Sequence, residues 1–286
     1  MYIGVLAIPA THYTSALAAL NTDRARAGYA RELHFTELRN YSYAHIHNEK
    51  TLLARHWVNR VMGDDRKIFH FHLLGINLDN LQNAAFGEKG REQRRSIYNR
   101  FFHTAVAGTI KYFFGGSGVQ VTDVFHDKEN QLEQDSLFDW HAIWRIDQAE
   151  PDISFVPDRV EFIDSDHETE QQHPDDSHFI QLCDLLMGGF TQCLDARNEK
   201  DGCNEIATLL LPLAKRLTDP RQKKNPNSHY HHFRRISMSF FPSKRLTSKD
   251  LQDTLLRATS GFYCNRRLLI QESVGRQCSL DLWGIS

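Results

Sequence analysis

The chain opens on an almost unbroken apolar run, residues 2–8, closed by Pro9, which reads as a strand buried on both faces of a sheet. Residues 12–27 follow with Leu17 and Leu20 at helical spacing and Gly28 as a stop signal. Residues 30–38 alternate polar and apolar side chains and predict a short second strand. Residues 49–62 predict an amphipathic helix, and residues 67–75 (KIFHFHLLG) another strong strand. A long aromatic-rich helix is expected over residues 91–114, ended by the GGSG that follows. Strands are predicted at 119–125 and 159–163, around a polar stretch at 130–147 that Trp140 and Trp144 would tack down. An acidic, His-containing loop at 164–176 leads into the most apolar helix of the chain, residues 179–195.

Strands thus alternate with helices over the first two thirds, which predicts an α/β fold, a sheet flanked by helices. After about Asn198 the texture changes. Residues 219–232 (DPRQKKNPNSHYHH) read as a polar, basic loop, and the remainder as a small α+β extension. The expected organisation is one core domain over 1–197 and a C-terminal extension, 198–286, packed on it. A chain of 286 residues is long enough to bury a substantial core in this way.

Charge and cysteine usage narrow the function classes. The formal net charge is -2, so no whole-chain basic field points to nucleic acid, and such a partner would need a local basic surface. Arg221, Lys223, Lys224, Arg234 and Arg235 are candidates for that surface, a solvated loop being the ordinary alternative. No stretch approaches the roughly 18 apolar residues that span a bilayer, so no membrane partner is expected. The N-terminal apolar run lacks a basic lead and makes a poor secretory signal. Cys183, Cys193, Cys203, Cys264 and Cys278 are odd in number, without CxxC spacing, and read as reduced thiols of a cytoplasmic protein. The histidines cluster at 45/47, 70/72, 167/173 and 229/231/232 without HExxH or matched cysteine spacing, so structural roles are favoured over metal binding.

Chemistry concentrates at three acids. In SHFIQLCDLLMGGF (177–190), Ser177, Gln181, Asp184 and Gly188 share one helix face while nearly every other position is apolar. Asp184 is therefore a carboxylate on a mostly buried helix, and needs a cation or strong donors. In VQVTDVFHDKE, Asp123 and Asp127 have the same strand parity, and Asp127 stands at the carboxyl end, where α/β sheets place their sites; a turn residue is the ordinary alternative. In RELHFTEL, Glu32 and Glu37 flank a strand-like alternation, and a surface glutamate is the ordinary alternative for each. His34 and His126 lie next to these acids and can assist there.

Taken in order, ELHFTEL, VTDVFHD, FIDSD and SHFIQLCDLLMGG resemble the family known as domain of unknown function 3800, over roughly residues 1–195. That family is similar to the ribonuclease H-like superfamily, so the resemblance implies a ribonuclease H-like mixed sheet and a cluster of acids binding Mg²⁺ or Mn²⁺. By motif, Glu32, Asp127 and Asp184 match three of those acids, as catalytic residues and metal ligands, and Ser165 and Ser177 match the accompanying small polar positions. The resemblance further implies an earlier strand carrying Asp-Glu-Ser; this sequence begins at what resembles the second strand.

The residue types suit the implied chemistry. Mg²⁺ prefers oxygen ligands, and two such ions about 4 Å apart can activate water and stabilise a leaving oxygen in phosphodiester hydrolysis. Two expectations follow from the resemblance: a metal-dependent nuclease acting on DNA or RNA, or, with one acid missing, a non-catalytic scaffold or partner protein of a defence or mobile-element system.

Overall fold

The computed structural model describes residues 1–40, 48–64, 66–78, 90–115, 118–128, 152–156, 160–219 and 230–241. The 130–147 stretch with Trp140 and Trp144, the basic residues Arg221, Lys223 and Lys224, and Cys264 and Cys278 lie outside the described residues.

The architecture is mixed α/β. Strand β1 (Tyr2–Ala7) pairs antiparallel with β2 (His70–Ile76), register Tyr2↔Gly75 to Ala7↔His70. On its other side β2 runs parallel to β7 (Ile236–Phe241), register Phe71↔Ile236 to Ile76↔Phe241. Every residue of β2 is buried, as expected of a central strand covered on both faces. β1 is the outer strand of this sheet among the described residues, and most of its side chains are only half-buried. Among the described residues, two short parallel pairs complete the strands: β3 (Val119–Val121) with β5 (Ile153–Phe155), and β4 (Phe125–Asp127) with β6 (Glu161–Ile163).

Helices cover both faces of the sheet. On one lie α1 (Tyr13–Ala27), α2 (Glu49–Gly63), α4 (Pro174–Asp195) and α5 (Asp201–Thr218), whose apolar faces form one core with Phe71, Leu73, Ile236 and Met238. On the other lies α3 (Arg91–Phe114), which buries Ile97, Phe101, Phe102 and Ala105 against Ile3, Leu74 and Ile76. The ends follow local chemistry. Asn48 caps α2 by accepting from the Thr51 amide, and Pro174 with Asp175 and Asp176 starts α4. Gly28 ends α1 at φ 70°, in the left-handed conformation that glycine adopts without strain.

Five sequence expectations need correction. Arg235 is no part of a basic surface: it is buried and donates from Nη1 to the Val61 carbonyl. β1 is half-buried along most of its length rather than buried on both faces. The other three concern local structure. Residues 30–38 do not form a strand; they run extended into a 3₁₀ turn at Phe35–Glu37, because their amides bond to side chains of α4 rather than to a neighbouring strand. The expected strand at 119–125 is broken into β3 and β4, which pair with different partners. Helix α4 starts at Pro174, inside the expected acidic loop. The stretch beyond 198 supplies β7, a member of the central sheet, and α5, whose Ile206 and Leu210 pack where Gly189 brings α4 close.

The buried histidines of β2 make a pH prediction. His72 is held between Ser237 (Nδ1, 2.6 Å) and Ser239 (Nε2, 3.0 Å), and burial pulls its pKa from 6.5 to about 4. His70 is pulled to about 4 as well, by burial and then by Arg235. The folded state therefore binds fewer protons than the unfolded chain between these values, so stability is complete above pH 6.5 and is lost as pH falls towards 4. The loss from His72 is on the order of 3 kcal/mol. Urea unfolding of the wild type and His72→Gln at a series of pH values checks this: the variant should lose stability less steeply, and equal slopes would count against it.

Candidate functional site

Helix α4 assembles the site. The face carrying Ser177, Gln181, Asp184 and Gly188 meets the segment 32–35 and the loop after β6, and each residue has a distinct contact. Ser177 Oγ donates to the Asp164 carbonyl (2.6 Å). Gln181 Nε2 donates to the Ser165 carbonyl (2.6 Å), and Gln181 Oε1 accepts from the Leu33 amide (3.1 Å). Asp184 Oδ2 accepts from the Phe35 amide (2.9 Å). Gly188 leaves room for the Phe35 ring, into which a Cβ at that position would run. Leu33 and Phe35 are buried, which leaves the alternate residues, Glu32 and His34, on the open side.

The outcome is a carboxylate–imidazole–carboxylate contact. His34 Nε2 lies 2.8 Å from Glu32 Oε1, and His34 Nδ1 lies 3.6 Å from Asp184 Oδ2. The side chains of His34, Glu32 and Asp184 are 17, 26 and 30% exposed, so the cluster is recessed yet reachable by solvent. Ser165 Oγ also donates to Glu32 Oε1. Glu32 Oε2 and Asp184 Oδ1 take part in none of these bonds.

Asp127 ends β4 opposite Ile163, two residues before Ser165, so both stand at the carboxyl ends of parallel strands. Its face is that of Phe125, whose ring packs on His173 at the start of α4 (5.0 Å between centroids). Cys183 is half-buried beside Asp184, and its thiol is pushed up to about 12, mainly by desolvation, with Asp184 and Asp127 both adding to the rise. Asp127 thus faces the helix that carries Asp184. His126 does not belong to the cluster: it turns to the opposite face, where its Nε2 meets the Tyr98 hydroxyl (2.7 Å). Glu37 is likewise elsewhere, ion-paired with Lys50.

Beneath the acids lies a buried network that the sequence reading missed. Arg24 donates from Nη1 to the carbonyls of Tyr29, Ala30 and Arg31 (3.2, 3.2 and 2.7 Å), and from Nη2 to Gln181 Oε1 (2.8 Å). Its guanidinium sits 5.1 Å from the Trp57 ring centroid, and burial lowers its pKa to about 10. His178, which lies 3.3 Å from Arg24 Nη2 through Nδ1, is pulled down to about 3 by burial and then by that cation. Arg24 thus anchors the start of the segment that delivers Glu32 and His34.

Glu32 and Asp184 come from separate elements, and carboxylate oxygens are donors of the kind a hard divalent cation takes. Among the described residues, however, no three His, Cys, Asp or Glu side chains are grouped as a ready metal-binding set. The donors suit the ion; in the arrangement present, His34 takes up the space between two of them. No described helix is long and apolar enough to cross a membrane. Comparison with protein families, with curated proteins and with solved structures found no match in any of the three. The resemblance described above rests on its quoted motifs alone.

Proposed function

We propose that this chain is a ribonuclease H-like hydrolase that cleaves phosphodiester bonds of DNA or RNA with Mg²⁺ or Mn²⁺ on Glu32, Asp127 and Asp184. The observation that carries this reading is the meeting of Glu32 and Asp184, far apart in sequence, over one imidazole. Ser165 and Asp127 at the carboxyl ends of two parallel strands add to its support. When bound, the cation supplies Lewis acidity and a water of lowered pKa. The protein's own groups do the positioning. Ser165 fixes one oxygen of Glu32, the Phe35 amide fixes one oxygen of Asp184, and Gln181 holds the two backbone segments in register. The test combines thermal melts with cleavage assays on single- and double-stranded DNA and RNA. Saturating Mn²⁺ should raise the melting temperature by roughly 5 °C, and cleavage should require the cation.

A second reading, a non-catalytic scaffold or partner protein that keeps the fold, is favoured by one observation. Glu32 and Asp184 already satisfy each other through His34, Ser165 and the Phe35 amide. Absence of both Mn²⁺ stabilisation and cleavage is the result this reading expects.

A further inference from the structure

Where α5 ends and β7 begins, bases and aromatic rings share one surface. Lys215 and Arg216 lie in the last turn of α5, and the 3₁₀ turn His231–Arg234 leads into β7. The guanidinium of Arg216 lies over the Tyr230 ring, 4.3 Å from its centre. Tyr230 in turn meets the rings of His232 (5.1 Å) and His231 (5.8 Å), and those two imidazoles lie 3.9 Å apart. Arg216 and His231 are exposed, while Lys215, Tyr230, His232 and Arg234 are half-buried.

The turn that carries the rings is held from beneath. Phe233 is buried in the core; its carbonyl accepts from the Tyr112 hydroxyl (3.1 Å) and its amide donates to the Tyr230 carbonyl (3.0 Å). Buried Arg235 donates to the Val61 carbonyl (2.7 Å) and pairs with Asp64 (3.3 Å), which keeps that acid inside. The local field is positive: burial first, and then His231, Arg235 and Arg216, pull the pKa of His232 down to about 4. Asp219, the acid nearest to Arg216 in sequence, stands against Lys215, Arg216 and Arg234.

Phosphate alone would ask only for charge. A guanidinium stacked on a phenol ring, with exposed imidazole beside it, offers π faces to a base as well as charge to its phosphate. We propose that this surface binds single-stranded nucleic acid, the His231 ring stacking on a base and Arg216 meeting the backbone. It is distinct from the acids. Cys203, near the start of α5, meets the Phe35 carbonyl (3.3 Å) beside them, and from Cys203 to Arg216 the helix rises about 20 Å. A strand stacked at about 3.4 Å per nucleotide covers that length in roughly six nucleotides, so one ligand can lie on this surface and reach the acids.

Binding is measured on the full chain by fluorescence anisotropy, in EDTA, with DNA and RNA of about 20 nucleotides as single strands and as duplexes. The wild type should bind single strands more tightly than the same sequence as a duplex. His231→Ala should weaken single-strand binding roughly 5- to 10-fold, whereas His231→Phe, which keeps a flat ring, should stay near wild type. Arg216→Ala should weaken it by a similar factor and lower the slope of log affinity against log salt by about one. Arg216→Lys should restore that slope without restoring the full affinity, since an ammonium does not stack as a guanidinium does. The phenylalanine and lysine variants also guard against a folding defect in the alanine ones. Arg26→Ala, which removes an exposed base of α1, should change binding little. No single-strand binding by the wild type overturns the proposal, as does unchanged affinity in both alanine variants. Duplex binding of equal strength, or His231→Phe as weak as His231→Ala, overturns it too, because charge alone would then be read. EDTA keeps these outcomes separate from the cation-dependent cleavage of the proposed function, so either can fail while the other stands.

Discussion

Asp184→Asn is expected to abolish Mn²⁺-dependent stabilisation and to cut phosphodiester cleavage by about 10³-fold or more, the rate equivalent of roughly 4 kcal/mol. The substitution is nearly isosteric. Its amide oxygen can still accept from the Phe35 amide, so the bond that fixes residues 33–35 on α4 survives. What disappears is the negative charge facing His34 Nδ1 and, under the proposed function, the charge that holds the ion. The apo protein should therefore unfold within about 1–2 kcal/mol of the wild type, since only a long, partly exposed ionic contact is lost. Melting curves with and without Mn²⁺, together with the cleavage assay, separate the two effects. An unchanged Mn²⁺ shift in the variant would remove Asp184 from the ligand set. A collapse of the apo fold would instead show that the carboxylate is chiefly a structural acceptor.

How far this site could be read in advance depended on how local its causes were. The four-residue face of α4 was legible, because helical periodicity alone puts Ser177, Gln181, Asp184 and Gly188 together, and all four turn out to contact the same two segments. β1 and β2 were legible as short apolar runs, and the helices α1 to α3 from local apolar spacing and stop signals. Residues 30–38 were misread because alternation says only that every second side chain is buried. It does not say whether the backbone bonds to a strand or, as with Leu33 and Phe35, to side chains of a helix. The break between β3 and β4 was hidden because it is set by their separate partners, which are distant in sequence. Arg24 was invisible for a different reason. An arginine in the last turn of a helix normally faces water; here three free carbonyls from residues 29–31 and a glutamine from α4 surround it. His34 was noted as a neighbour of the acids, but its place between two of them needs the fold.

Gln181→Leu is expected to be the most damaging single change in the network below the acids, lowering stability by about 3–6 kcal/mol, a large part of what a typical domain has. The side chain is fully buried, and both ends of its amide are used. Oε1 accepts from Arg24 Nη2 (2.8 Å) and Leu33 N (3.1 Å), while Nε2 donates to the Ser165 carbonyl (2.6 Å) and meets His167 Nδ1 (3.2 Å). Leucine matches the volume but leaves a backbone amide, a backbone carbonyl and part of a guanidinium unpaired in the interior. Each such group costs about 1–3 kcal/mol. Gln181→Glu sharpens the test. A carboxylate keeps the acceptor for Arg24 and Leu33, and improves it by charge, but turns an oxygen towards the Ser165 carbonyl where a donor stood. It should therefore recover part of the stability while still releasing Ser165, and Ser165 is the residue that donates to Glu32. The two variants are compared by urea unfolding, and the Glu32 end of the site by Mn²⁺ affinity. Gln181→Glu should be the more stable of the two, yet bind Mn²⁺ more weakly than the wild type. Stability equal to wild type in the leucine variant would show that the amide only fills space, and that the segments bearing Glu32 and Ser165 are held by their apolar neighbours instead.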